Sequence, residues 1–215
     1  VMPIPYYERD ENGLLSDFHY EIEEFLVNDI PVVSYKEYDY TVIRPDIIYF
    51  HNPYDGENRV TSVSPEFYTD KLKHYTDMLV YVPYYVSGVD TSQNIRTGLF
   101  PGEKTAHKII SSSKQLTDSY IKLGVESDKI LTLGSPKIDY MYKLSNEKKV
   151  PKNWKERING KKVILLNSTI GRLLRNQNYF HLLRDTINKI MNHNDIVLIW
   201  RPLPLLEPTI KSMQP

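Results

Sequence analysis

Short apolar runs, rich in β-branched residues, recur along the chain, and segments of helical period lie between several of them. Ile47-Ile48-Tyr49-Phe50, Leu79-Val80-Tyr81-Val82, Lys108-Ile109-Ile110 and Ile130-Leu131-Thr132-Leu133 each read as a buried strand. Lys162 to Leu166 and Ile196 to Trp200 are the clearest of the set. Val1-Met2-Pro3-Ile4 has the character of a strand end, which its prolines confine to an edge or a terminus. Tyr68, Leu72, Tyr75 and Leu79 are spaced to share one helical face. Ser112 and Gln115 fit a capping box ahead of a Leu116, Tyr120 and Leu123 stripe, with Gly124 as a natural stop. Phe180, Leu183, Ile187, Ile190 and Met191 predict a longer amphipathic helix. Residues 8–40, acidic and rich in tyrosine, fit either a hairpin or a long excursion. Strands alternating with helices at this spacing predict βαβ units, hence an α/β fold with Rossmann-like parallel sheets.

A polar run, Ser145-Asn146-Glu147-Lys148-Lys149, precedes Pro151, and Gly160 leads into a fresh strand. This places a domain boundary so that residues 1–150 form one α/β domain and 151–215 begin a second. The second segment contains one β-α-β unit, too little to bury both faces of its sheet, so that domain is expected to be incomplete.

Composition narrows the function classes. Lys and Arg total 27 and Asp and Glu total 27, a balance that argues against a dedicated nucleic-acid binder. The absence of cysteine removes disulfide scaffolds, thiolate zinc sites and thiol nucleophiles. No apolar run approaches the roughly 18–20 residues of a membrane span, and no signal-peptide core opens the chain, so the expected compartment is cytoplasmic.

The informative polar residues follow the strands. His51-Asn52-Pro53-Tyr54-Asp55 trails the first run, Pro83-Tyr84-Tyr85 the second and Ser111-Ser112-Ser113-Lys114 the third. Gly134-Ser135-Pro136-Lys137, Asn167-Ser168-Thr169-Ile170-Gly171-Arg172 and Arg201-Pro202-Leu203-Pro204 trail the others. In an open parallel sheet such segments gather at the carboxyl ends of the strands, where ligands bind. Free N–H groups and hydroxyls at Ser168 and Thr169, with Arg172 and Arg201, suit a phosphorylated ligand, and Gly134 to Lys137 offers the same ingredients.

Each feature also has a plainer reading. Ser112 serves equally as a helix cap, as do Asn167, Ser168 and Thr169. Tyr84 and Tyr85 can fill space instead of stacking on a nucleotide, and Arg201 can pair with a carboxylate. His51 is either a general base or a histidine bonded within its own loop. His19, His74, His107, His181 and His193 lack a comparable setting.

The block RPDIIYFHNPYDGENRVTSVSPEFYTDKLKHYTDMLVYVPYY (44–85) resembles the N-terminal domain of a Firmicute family of CDP-glycerol glycerophosphotransferase-like proteins. ILTLGSPKID (130–139), NSTIGRLL (167–174) and LIWRPLPLLEPTIKSM (198–213) match further blocks in the same order. The resemblance implies a GT-B-like pair of Rossmann-like domains with a cleft between them, the chain lacking the family's first strand and helix. It implies transfer of glycerol phosphate from CDP-glycerol to a polymeric or lipid-linked hydroxyl acceptor, as in teichoic acid synthesis. No metal or other cofactor is expected, nor a nucleic-acid partner; an oligomer is compatible with it, and so is a peripheral position at the inner membrane face.

By matching position, His51 and Asp55 become the expected catalytic pair on the acceptor side. Asn52, Ser135, Lys137, Ser168, Thr169, Arg172 and Arg201 become the expected substrate-binding set, with Ser168, Thr169 and Arg201 at the donor pyrophosphate. Two positions depart from the family pattern: Ser64 stands where Val-His-Pro is expected, and Leu203 where Arg-Pro-His-Pro is expected. Leucine cannot stabilise a phosphate. The departures keep two alternatives open: a non-catalytic relative that binds a nucleotide or polymer, and a GT-B glycosyltransferase or epimerase using another sugar nucleotide.

Overall fold

The computed structural model describes residues 1–10, 12–26, 30–58, 60–85, 98–147, 150–168, 176, 178–203 and 206. The chain divides into two compact units, Val1–Asn146 and Glu147–Pro215.

The first unit opens with strands β1 (Tyr6–Arg9) and β2 (Leu15–His19) and short helices α1 (Glu23–Leu26) and α2 (Tyr40–Ile43). Strand β3 (Ile47–Phe50), strand β4 (Thr61–Val63) and helix α3 (Thr69–Leu72) follow. Next come β5 (Met78–Tyr81), α4 (Pro101–Thr105), β6 (Lys108–Ser111), α5 (Lys114–Lys122), β7 (Ile130–Thr132) and α6 (Pro136–Glu147). The second unit holds α7 (Lys152–Ile158), β8 (Lys162–Ser168), α8 (Asn178–Met191) and β9 (Ile196–Pro202). The architecture is α/β and Rossmann-like: a parallel sheet of order β3-β5-β6-β7 in the first unit and a parallel pair β8-β9 in the second. All six apolar runs read from the sequence are strands of these sheets.

The main sheet grows in one direction, each strand beside its predecessor. The described segments between its strands pack on one face of it, as right-handed crossovers in a sheet that grows one way require. Side-chain alternation puts Ile48, Phe50, Leu79, Tyr81, Ile109 and Ile130 on that face. There they pack with Leu72, Ala106, Leu116 and Tyr120 in two adjoining apolar clusters. On the opposite face Ile47, Tyr49, Met78 and Leu131 are exposed, while Val80 in an inner strand is buried.

Three local expectations are corrected and one left open is narrowed. Val1 to Ile4 is not strand: the ladder begins at Tyr6, after Pro3 and Pro5, which have no N–H to give it. Instead the Val1 amine donates to the Pro31 carbonyl and Val33 N–H to the Val1 carbonyl. Of residues 8–40, open between a hairpin and an excursion, the first part lies in a hairpin, β1 pairing antiparallel with β2 and, on its other side, with β4, and α1 follows it. The Tyr68 to Leu79 stripe is not one helix face. Tyr68 is an extended N-cap, α3 spans a single turn, Lys73–Tyr75 tightens into a 3-10 turn, Thr76 is extended, and Leu79 lies in β5. The cap of α5 is Ser113, whose hydroxyl accepts Leu116 N–H at 3.2 Å, in place of Ser112. Gly124 closes that helix at φ 89°, a conformation that favours glycine.

Candidate functional site

The loop after β3 is held from three directions. Asn52 Oδ1 accepts Tyr54 N–H at 3.0 Å, an Asx turn that bends the chain away from the sheet. The Gly102 N–H at the start of α4 donates to the Pro53 carbonyl at 2.9 Å. A Cβ on Gly102 would lie 2.7 Å from the Phe50 ring and 3.0 Å from Pro53 Cα, so only glycine permits this approach. From the hairpin, Arg9 Nε donates to the Asn58 carbonyl at 2.9 Å, and its terminal nitrogens donate to the Gly13 and Gly56 carbonyls.

Within this loop His51 is solvent-accessible and sits 6.1 Å from Tyr84, ring to ring, at 80°. The protein around it disfavours the imidazolium and holds its pKa below the ordinary 6.5. The ring is therefore neutral at pH 7, the form a general base requires. Asp55 has another setting. It is buried, with φ 49°, and its carboxylate accepts both the Thr69 N–H and the Thr69 hydroxyl at the start of α3. Burial raises its pKa, Thr69 opposes the rise, and Asp70 and Glu57 add to it. These bonds give Asp55 the work of a cap that anchors the far end of the His51 loop.

Aromatic rings close the same sheet edge. Tyr54 meets Phe100 at 4.6 Å and 73°, and Tyr84 meets Tyr85 at 5.3 Å and 79°. The Tyr54 and Tyr84 hydroxyls lie 3.4 Å apart. Beneath them Glu103, buried at the first turn of α4, accepts Phe100 N–H at 2.9 Å and the Tyr120 hydroxyl at 2.8 Å. Burial first, then the Tyr84 hydroxyl, pushes ionisation of Tyr54 well above the usual phenol range. Sequence patterning singled out neither Tyr54, Phe100 nor Glu103. The signal that was present is Glu103 three residues after Phe100 with Pro101 between, the spacing of a helix start.

The polar groups after β6 serve the fold. Ser111 donates to the Ser113 carbonyl, Thr117 donates to Ser111 at 3.0 Å, and the Thr117 and Thr132 hydroxyls meet at 2.7 Å. Ser135, after β7, is buried and its carbonyl receives Asp139 N–H in α6, whereas Lys137 is exposed. Strands β3 and β7 are opposite edges of the sheet. Three strand spacings, roughly 14 Å, therefore separate the His51 loop from Ser135 and Lys137.

In the second unit the register brings Asn167 beside Arg201 and Ser168 beside Pro202 at the carboxyl ends of β8 and β9. Alternation puts Asn167 and Arg201 on one face and Ser168, with Trp200, on the other. Ser168 is buried, and its hydroxyl accepts the Trp200 indole N–H at 3.0 Å. Its carbonyl accepts Leu203 N–H at 3.2 Å. Arg201 is exposed. Thr169 and Arg172 lie outside the described residues.

Two grooves form elsewhere. One is lined by Arg9, Asn12, Gly56 and Asn58, the other by Arg157, Ile187, Met191, His193 and Trp200 of the second unit. Among the described residues there is no group of three or more His, Asp or Glu able to hold a metal ion, and no helix long and apolar enough to cross a membrane. Neither a protein-family model nor a curated protein matches the chain.

Proposed function

We propose that the chain is part of a glycerophosphotransferase-like protein that moves glycerol phosphate from CDP-glycerol to a hydroxyl acceptor of a cell-surface polymer. The observation that carries this reading is His51: a neutral, solvent-accessible imidazole at the carboxyl edge of a parallel sheet, on a loop tied down by Asp55, Gly102 and Arg9. The ordered blocks of sequence resemblance supply the substrate class. In the reaction, an imidazole nitrogen of His51 takes the proton of the acceptor hydroxyl, and the acceptor oxygen forms a bond to the β-phosphorus of CDP-glycerol. The bond from that phosphorus to the bridging oxygen breaks, and CMP leaves with the electron pair. In the second unit, exposed Arg201 beside Asn167 is suited to gripping phosphate oxygens. Ser168, already bonded to Trp200, is suited to fixing the strand end.

The test is calorimetric titration with CMP and CDP-glycerol, joined to an assay of CMP release with a polyol-phosphate acceptor. Binding that weakens at least tenfold in Arg201→Ala, with release slowed by about 10²–10⁴ in His51→Ala, supports the reading. No affinity for either nucleotide overturns it. A second reading, a non-catalytic relative, draws on Leu203 and Ser64. Leu203 is apolar where a titratable group is expected, and Ser64 is buried, its hydroxyl 3.3 Å from the Glu66 carboxylate. Nucleotide binding without CMP release favours that reading.

A further inference from the structure

We propose that the free edge of β2 pairs with the same edge of a second copy of this chain, antiparallel, about a two-fold axis at Phe18. The inference goes beyond the transfer reaction and does not depend on it. Strand β2 is an outer strand of the β2-β1-β4 sheet. Every residue from Leu15 to Phe18 is exposed, Leu15 at 40% and Phe18 at 48%. Among the described residues, no backbone hydrogen bond from outside the β1–β2 ladder reaches Leu15, Ser16, Asp17 or Phe18. The strand carries neither proline nor lysine, the residues that commonly protect an edge from pairing. An open edge with two large apolar side chains is a template for another strand.

The ladder fixes which main-chain groups the edge offers. The Pro5 carbonyl accepts Ser64 N–H, and Arg9 N–H donates to the Val60 carbonyl. Alternate residues of β1 from Pro5 to Arg9 therefore address β4, and Tyr6 addresses β2. His19 lies opposite Tyr6 and spends its main-chain groups on β1. Phe18, one residue earlier, turns its N–H and carbonyl outward. Two copies related by a two-fold axis can exchange both bonds at this residue, each Phe18 N–H donating to the carbonyl of the partner's Phe18. The axis then sets the two rings side by side, extending the aromatic contact that Phe18 already makes with Tyr7 at 5.3 Å. It also sets Asp17 opposite the partner's His19. The Nε2 of His19 faces Glu8 at 3.1 Å within its own chain, and Nδ1 is the atom left for the carboxylate. Moving the axis one residue either way would put Asp17 or His19 against its own copy, with no complementary charge. The strand thus complements itself in one register. The pairing is short, and acidic Glu8 and Glu21 flank it in each copy, so the dimer is a reversible one.

The test is sedimentation equilibrium of the full chain from about 10 µM to about 500 µM, the range of a weak reversible dimer. The expected result is an average mass that climbs from one chain toward two. Phe18→Ala should weaken the association about tenfold or more. Phe18 is half open to solvent, so this variant should fold, which an unchanged thermal midpoint checks. Register is read separately by cross-linking, since the chain has no cysteine of its own. In Phe18→Cys the two sulfurs share the axis, with Cα atoms about 5.5 Å apart, within disulfide reach. In Leu15→Cys the proposed register offsets the two positions by six residues, roughly 20 Å. Mild oxidation should therefore give a disulfide dimer of Phe18→Cys and leave Leu15→Cys as single chains. A chain that stays monomeric over the whole range, a dimer that Phe18→Ala leaves intact, or Leu15→Cys cross-linking as readily as Phe18→Cys each overturns the proposal.

Discussion

The carboxylate of Asp55 closes on Thr69: Oδ2 accepts the threonine hydroxyl at 2.6 Å, and both oxygens accept its backbone N–H at 3.2 Å. Both residues are buried, so removing one orphans the other. Asp55→Ala should cost about 1–3 kcal/mol in urea denaturation. Asp55→Asn keeps an acceptor and tolerates the positive φ, and should cost less. Because burial raises the Asp55 pKa above 3.8, the folded state holds this proton more tightly than the unfolded state. Its ionisation therefore subtracts stability as pH rises above about 4. The stability of Asp55→Asn relative to the parent should improve from pH 4 toward neutrality, and a constant difference would refute the account.

His107 gives a pH effect of opposite sign. Its Nδ1 accepts the Leu79 N–H at 2.9 Å, which requires a neutral ring with its proton on Nε2. Burial, then Lys73 and Lys129, hold its pKa below 6.5. The unfolded chain takes up this proton first as pH falls, so the contribution is complete above 6.5 and is lost below it. Urea midpoints measured at pH 7.5 and 5.5 should converge for the parent and His107→Ala as the pH drops. His107→Gln, which cannot titrate, should remove this part of the pH dependence.

Gly102 marks the closest approach of α4 to the His51 loop. Gly102→Ala forces its Cβ against the Phe50 ring and the Pro53 backbone. The cost should be about 1–3 kcal/mol, read as a lowered thermal midpoint. If Gly102→Ala matches the parent, the contact is looser than described.

If His51 is the base, the pH profile of kcat/KM for CMP release should rise through an apparent pKa below 6.5 and level off above it. His51→Ala should lower the rate by about 10²–10⁴ and abolish that limb. A limb that persists in His51→Ala would assign it to another group.

The strands of the two parallel sheets were legible because each is a short apolar run bounded by breakers, a signal local to its own residues. The one-helix reading of Tyr68 to Leu79 failed because the same spacing arises when a helical turn, a 3-10 turn and a strand each bury one residue in a common core. At the site, the position of the His51 loop followed from strand order. The occupation of Asp55 by Thr69 and of Ser168 by Trp200 did not, because each partner is distant in sequence and is brought in only by the packing. Glu103 escaped notice for a similar reason: its link to Tyr120 joins two helices, and nothing in either segment alone announces it.

The one-way order β3-β5-β6-β7 has a consequence for how the chain acquires its structure. Each new strand finds its docking edge on the one made just before it, so pairing never waits for a distant segment. A nascent chain can add strands as they leave the ribosome, and loop-closure entropy stays small at each step. Refolding of this sheet should therefore proceed by accretion from its N-terminal edge.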